Sequence, residues 1–170
     1  RGEGRGSVGL GWRGPAWSDL RRSLFRRSRR CYPRPVRVLV VEDDPILGPA
    51  IAAMLSHGGI TAHVIDDAEI ALDLCRLLAF DLLLVDMHLR GMSGAQMLRV
   101  LRRAGVRIPA ILMSGASDDE IAAAAAASAV YTEQGERIEG ANMWIAKPIG
   151  AVSLLEAIEE LLARRPTMPP

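Results

Sequence analysis

The chain has 170 residues, 49% apolar and 24% charged, which suffices for one domain with a full core, alone or with a tail. No apolar run approaches the roughly 18 residues of a membrane span, and two distant cysteines, Cys31 and Cys75, argue against a disulfide framework or a zinc site and fit a reducing, cytoplasmic compartment. The formal net charge of +1 is unevenly divided: residues 1–35 hold ten arginines against Glu3 and Asp19, so that this stretch carries +8 and residues 36–170 carry −7.

Residues 1–35 are rich in Gly, Arg and Ser and show no sustained apolar period. Such a segment cannot bury enough surface to offset chain entropy, so a basic, disordered tail is expected. Its arginines suit loose contact with acidic lipid or nucleic acid, or a targeting role. Arg21-Arg22-Ser23-Leu24-Phe25 partly resembles a twin-arginine signal, but no apolar stretch follows it before the acids at 42–44. A solvated tail without further function is the preferred reading.

From Val36 the pattern becomes regular. Val36–Val41 reads as a strand, and Pro45 to Ser56 has helical spacing that ends at Gly58-Gly59. Ile60–Ile65 is a second strand, followed by Asp66 and Asp67 as N-cap residues of a helix over Ala68 to Ala79. Leu82–Val85 is wholly apolar, as expected of a strand buried on both faces. A turn at Gly91–Gly94 leads to a helix near Ala95–Ala104, then to a strand at Ile108–Met113 and a helix at Asp118–Ala129 with six consecutive alanines. Asn142–Ala146 is the fifth strand, Ala151–Ala163 the last helix, and Pro166, Pro169 and Pro170 close the chain.

About ten residues between Ser114 and Lys147 exceed what a helix, a loop and a strand require. The surplus, Val130 to Gly140, is polar and bounded by glycine, and reads as an exposed loop or an extension of the preceding helix.

Five strand–helix alternations predict an α/β fold: a doubly wound parallel sheet with helices on both faces. Ligands of such sheets bind beyond the carboxyl ends of the strands. The first strand is followed there by Glu42-Asp43-Asp44, the third ends at Asp86, the fourth at Ser114 and the fifth at Lys147. Lys147 is the only lysine in a chain with twenty arginines. A slim, point-like ammonium is not equivalent to a guanidinium fork, so the exception is informative once acids for it to meet have been found.

Carboxylates from two neighbouring strands repel and call for a cation, and an all-oxygen set suits a hard ion such as Mg²⁺. A carboxylate in such a pocket can act as a nucleophile and form an acyl phosphate, with the hydroxyl and the ammonium on phosphoryl oxygens. Taken singly, each residue has an ordinary role. Asp86 suits a turn, the acids at 42–44 suit helix capping (Asp44 before Pro45 above all), Ser114 a backbone hydrogen bond and Trp144 core packing. His63 and His88 have no His or Cys partner at metal spacing. His57 suits a dipole contact at a helix end, and Cys75 suits buried packing. Only the four strand ends together point to phosphoryl chemistry.

Val40-Val41-Glu42-Asp43-Asp44-Pro45, Val85-Asp86-Met87, Met113-Ser114-Gly115 and Ala146-Lys147-Pro148 occur in order, each at a strand end. With them, the chain resembles the response-regulator receiver domains of two-component signalling, of the chemotaxis-regulator type. The resemblance implies a flavodoxin-like sheet of order 2-1-3-4-5 in a domain over residues 36–165, followed by a short tail at 166–170; the surplus near 130–141 departs from the family pattern as an insertion. It implies Asp86 as phosphoacceptor, Asp43 as direct Mg²⁺ ligand, Glu42 acting mainly through water, and the backbone carbonyl of His88 as a further ligand. Ser114 would be the switch hydroxyl, Lys147 the phosphate-holding cation and Trp144 the aromatic switch. Lys147–Pro148 would be a cis peptide that aims the ammonium inward.

The implied partners are a sensor histidine kinase or histidine phosphotransferase, a downstream protein target and, as an option, a second copy in a homodimer. The insertion puts the usual dimer or target contact in question. No DNA-binding domain is expected after Ala163, so a stand-alone switch protein that is not an enzyme is read. Two alternatives are a haloacid-dehalogenase-type aspartate phosphatase and a receiver-like binding module that is not phosphorylated. The first requires a carboxylate where His88 stands, and the full acceptor set argues against the second. A nucleotide-binding protein is disfavoured because no glycine-rich phosphate loop follows the first strand.

Overall fold

The computed structural model describes residues 34–164 apart from 116, 132, 133 and 136. Cys31, most of the basic tail and the terminal prolines lie outside the described residues. Five strands form one parallel sheet: β1 (Arg37–Val41), β2 (Thr61–Ile65), β3 (Leu82–Asp86), β4 (Ala110–Ser114) and β7 (Met143–Ala146), with β5 (Val130–Tyr131) and β6 (Arg137–Ile138) in a separate two-stranded sheet. Their order is β2-β1-β3-β4-β7, the doubly wound arrangement expected. Four helices connect them, α1 (Leu47–His57), α2 (Ala68–Leu77), α3 (Gly94–Arg103) and α4 (Asp118–Ser128), and α5 (Ala151–Ala163) follows β7.

Alternation along the strands sorts the core onto two faces. Leu39, Val41, Leu83, Val85 and Leu112 pack with α2 and α3. Val38, Val40, Leu82, Leu84, Ile111 and Met113 pack with α1 and α5. Every residue of β3 and β4 is buried, and each strand is apolar up to its polar last residue. Cys75 packs in the first of these clusters, and burial pushes its thiol up to about 11. His63 meets Phe80 edge-on, and His57 Nδ1 lies 2.7 Å from the Ala53 carbonyl, as suits a ring near a helix end.

The helix starts follow from local chemistry. Asp44 Oδ1 accepts from the N–H groups of Ile46 and Leu47 at the start of α1. Asp67, rather than Asp66, caps α2 through Glu69 and Ile70. Ser93 with Gln96 and Ser117 with Glu120 form capping boxes on α3 and α4. Hydrogen bonds from Ser117 hold the Glu120 carboxyl below its usual range. Along the alanine run of α4 no side chain is fully buried; Ser128, at its end, is.

Two features differ from expectation. The surplus after α4 is neither an irregular loop nor more helix. It forms an antiparallel ribbon, β5 (Val130–Tyr131) with β6 (Arg137–Ile138), and Gly135 takes φ +80° between them. Long-range contacts explain the difference. Val130 is buried, and the guanidinium of Arg102, itself buried on α3, donates to the carbonyls of Glu139 and Gly140 beyond the ribbon and to those of Val106 and Ile108. Gly140 lies so close to Ser128 that a β-carbon there would come within 2.2 Å of it.

The second feature is Arg34, which composition assigned to the tail. It makes a two-pronged ion pair with Asp81, both contacts 2.8 Å, and Asp81 also accepts from the Arg37 N–H. Asp81 is buried and Arg34 is half exposed. Asp81→Ala is therefore expected to cost about 2 kcal/mol, and Arg34→Ala about 1 kcal/mol or less. Urea unfolding of both variants checks the order; a larger loss at Arg34 would contradict it.

Candidate functional site

Four of the five strands deliver polar groups at the carboxyl edge, Glu42 and Asp43 after β1 and one group each from β3, β4 and β7. The ladder between β1 and β2 continues past Val41, with the Glu42 N–H donating to the Ile65 carbonyl at 3.0 Å. This turns the Glu42 side chain into the protein, where it is 2% exposed. Asp86 closes β3 opposite Met113 and is 5% exposed. Ser114 closes β4 opposite Ala146 and is fully buried. The Lys147 N–H donates to the Ser114 carbonyl at 2.8 Å, extending β7 by one rung, and the Lys147–Pro148 peptide is cis.

Glu42, Asp43 and Asp86 each offer a carboxylate oxygen, all within 4.8 Å of one another. Unscreened, three such charges would repel strongly. Lys147 Nζ lies 2.9 Å from Glu42 Oε2 and 3.0 Å from Asp86 Oδ1, so one ammonium bridges the two most buried acids. The other Glu42 oxygen accepts from the Asp44 N–H at 3.3 Å. Burial works against the charge on Lys147, but its hydrogen bonds and Coulombic contacts with Glu42 and Asp86 outweigh it and raise its pKa above 10.5. Asp43 has a different counter-ion, the Arg90 guanidinium at 3.2 Å. Asp44 faces its helix instead, and the N–H groups of Ile46 and Leu47 hold its carboxyl below the usual range.

The donor set is all oxygen, two of its three members are buried, and no cysteine or histidine belongs to it. Such a set fits a hard divalent cation rather than zinc or copper. His88 follows Asp86 by two residues with an exposed side chain. Trp144 stands opposite Leu112 on β7, half buried against the core cluster of α2 and α3.

Arg90 and Gly94 were not apparent from sequence. One more exposed arginine carries no signal in an arginine-rich chain. Gly94 reads as a turn glycine, yet a β-carbon there would lie 2.1 Å from the Asp86 carbonyl oxygen. That close approach is a tertiary fact.

These parts define a class: a doubly wound α/β domain whose carboxylate pocket, closed by a lysine, lies at the carboxyl edge of its parallel sheet. The family described as response regulator receiver domain matches residues 38–159. The chain belongs to that family, the receivers of two-component signalling.

The cell cycle transcriptional regulator CtrA of Caulobacter vibrioides is 31% identical over 129 residues, covering 76% of this chain and 51% of that protein. The cell cycle response regulator CtrA of Brucella ovis is 36% identical over 80 residues, covering 47% and 34%. The chain thus spans about half the length of the first of these relatives and a third of the second. Among solved structures, the receiver domain of a Francisella response regulator superposes with a TM-score of 0.65 at 23% identity, covering 77% of this chain and 98% of that one. The receiver domain of a Pseudomonas aeruginosa sensor histidine kinase, with a magnesium ion coordinated in its active-site cleft, gives 0.64 at 22%, covering 76% and 99%. At these identities the structural likeness concerns the fold. No helix among the described residues is long and apolar enough to cross a membrane.

Proposed function

We propose that Asp86 accepts a phosphoryl group from the phosphohistidine of a sensor kinase or phosphotransferase, in a Mg²⁺-dependent reaction, and that the resulting acyl phosphate changes which protein the domain binds. The observation that carries this reading is the set of contacts around Asp86. A buried carboxylate at the end of a rigid strand lies 3.0 Å from an ammonium and beside two further acids. An Asp86 oxygen forms the new P–O bond as the donor's P–N bond breaks, and the electron pair stays on the imidazole. Lys147 Nζ, shared with Glu42, holds a phosphoryl oxygen, and the Ser114 hydroxyl donates to another. Asp43 and Asp86, the His88 carbonyl and Glu42 through water would hold the cation, which neutralises charge on the transferred group when bound.

In this reading Ser114 moves toward the phosphoryl group, and Trp144, 30 residues on along the chain and one strand over, follows as the aromatic switch. The domain, 36–165 with the 130–141 insertion, acts in the cytoplasm as a switch rather than as an enzyme with a separate substrate. Its partners are the phosphoryl donor, a downstream protein and, optionally, a second copy. The insertion gives the α4–β7 side a ribbon that a partner must accommodate. The phosphatase alternative is not favoured, because His88 stands where that chemistry needs an acid.

Incubation with Mg²⁺ and acetyl phosphate, read by intact mass, tests the reading. One phosphoryl adduct is expected, absent with EDTA and absent in Asp86→Asn. An unmodified wild type, even with its cognate kinase, would contradict it, and so would an adduct of equal yield on Asp86→Asn.

A further inference from the structure

The pocket's counter-ions are of two kinds. Lys147 is partly buried, 25% exposed, and bridges two acids. Arg90 is 86% exposed and touches one, Asp43, through Nε. It stands four residues after Asp86 in the loop between β3 and α3. There Met92 N–H donates back to the Arg90 carbonyl at 3.0 Å, and Gly91 takes φ +79°. The backbone at Arg90 is thus fixed by a turn, while its side chain reaches back over the pocket mouth from the solvent side.

We infer that Arg90 is a removable counter-ion of the cation site: it occupies Asp43 when no cation is bound and must leave when one binds. The inference rests on the reading of Asp43 as a cation ligand. An exposed ion pair of this kind is worth little, so displacing it is easy. A divalent ion facing three carboxylates gains far more from Asp43 than a solvated guanidinium does. Displacement still subtracts from the apparent affinity, and the arginine's positive charge repels an ion in the pocket. Arg90 therefore weakens cation binding and sets the concentration at which the pocket fills. Lys147 cannot serve in this way, because removing it would expose Glu42 and Asp86 to each other.

The full chain is titrated with MgCl₂ at constant ionic strength, following backbone amides by two-dimensional NMR. The wild type, Arg90→Gln and Asp43→Asn are compared. Arg90→Gln is expected to bind Mg²⁺ about three- to tenfold more tightly than the wild type, and Asp43→Asn much more weakly. Unchanged or weaker binding by Arg90→Gln, with the wild type binding and Asp43→Asn impaired, would overturn the inference alone. Failure of the wild type to bind, or wild-type affinity in Asp43→Asn, would overturn the underlying assignment of Asp43. Arg90 is a surface residue, so loss of fold does not confuse the comparison.

Discussion

Gly94→Ala is expected to lower folding stability by about 3 kcal/mol and to slow phosphoryl acceptance at the same time. A β-carbon at this position would lie 2.1 Å from the Asp86 carbonyl oxygen and 2.9 Å from side-chain atoms of Val85 and Leu112. The first of these neighbours is backbone and cannot rotate away. The start of α3 would have to withdraw from the end of β3, breaking the hydrogen bond from the Gly94 N–H to the Met87 carbonyl, 3.1 Å long. Asp86 would then lose the packing that fixes it beside Lys147. Gly91, three residues earlier, provides the contrast. A β-carbon there meets nothing within 4 Å, and only its φ of +79° penalises a side chain, so Gly91→Ala should cost about 1 kcal/mol. Thermal or urea unfolding of the two variants gives the order; equal losses would show that the Gly94 contact is relieved at no cost.

Lys147→Met is expected to cost about 2 kcal/mol at neutral pH and to abolish the response to phosphorylation. It leaves Glu42 and Asp86 buried without the ammonium between them. The loss falls below the roughly 3–5 kcal/mol of a fully buried pair because the lysine keeps partial contact with water. The pH dependence has a definite sign. The folded-state pKa of Lys147 is raised above 10.5, so its contribution is fully present below that value and is lost as the pH rises through the folded one. The gap in stability between wild type and Lys147→Met should therefore be flat across neutral pH and close in strong alkali. A gap that instead widens above pH 10.5 would contradict this account. Lys147→Arg is expected to retain the fold but impair the switch, because a guanidinium fork does not fit where one slim ammonium meets two acids.

Much of this was legible in the chain itself. β3 announces itself as an apolar run, Leu82–Val85, because both its faces are covered. Asp44 and Asp67, both readable as capping residues, mark the starts of α1 and α2. Groups at the ends of parallel strands must converge on one edge of the sheet, so the proximity of Glu42, Asp43, Asp86 and Lys147 followed once the strands were placed. What stayed hidden depends on contacts remote in sequence. The ribbon of β5 and β6 has only two residues per strand and relies on Arg102, which reaches carbonyls 37 and 38 residues away, and on the fit of Gly140 to Ser128. The division of counter-ions, with Lys147 on Glu42 and Asp86 and Arg90 on Asp43, depends on side-chain reach that no pattern encodes.

The most direct test of the central claim is to find which residue carries the phosphoryl group. The protein is phosphorylated in Mg²⁺, reduced with borohydride, which converts an acyl phosphate to the alcohol, and mapped by peptide sequencing. Homoserine is expected at the position of Asp86, with unmodified side chains at Glu42 and Asp43. Reduction at either of those acids with Asp86 intact, or a phosphoryl group found on a hydroxyl or histidine instead, would contradict the claim.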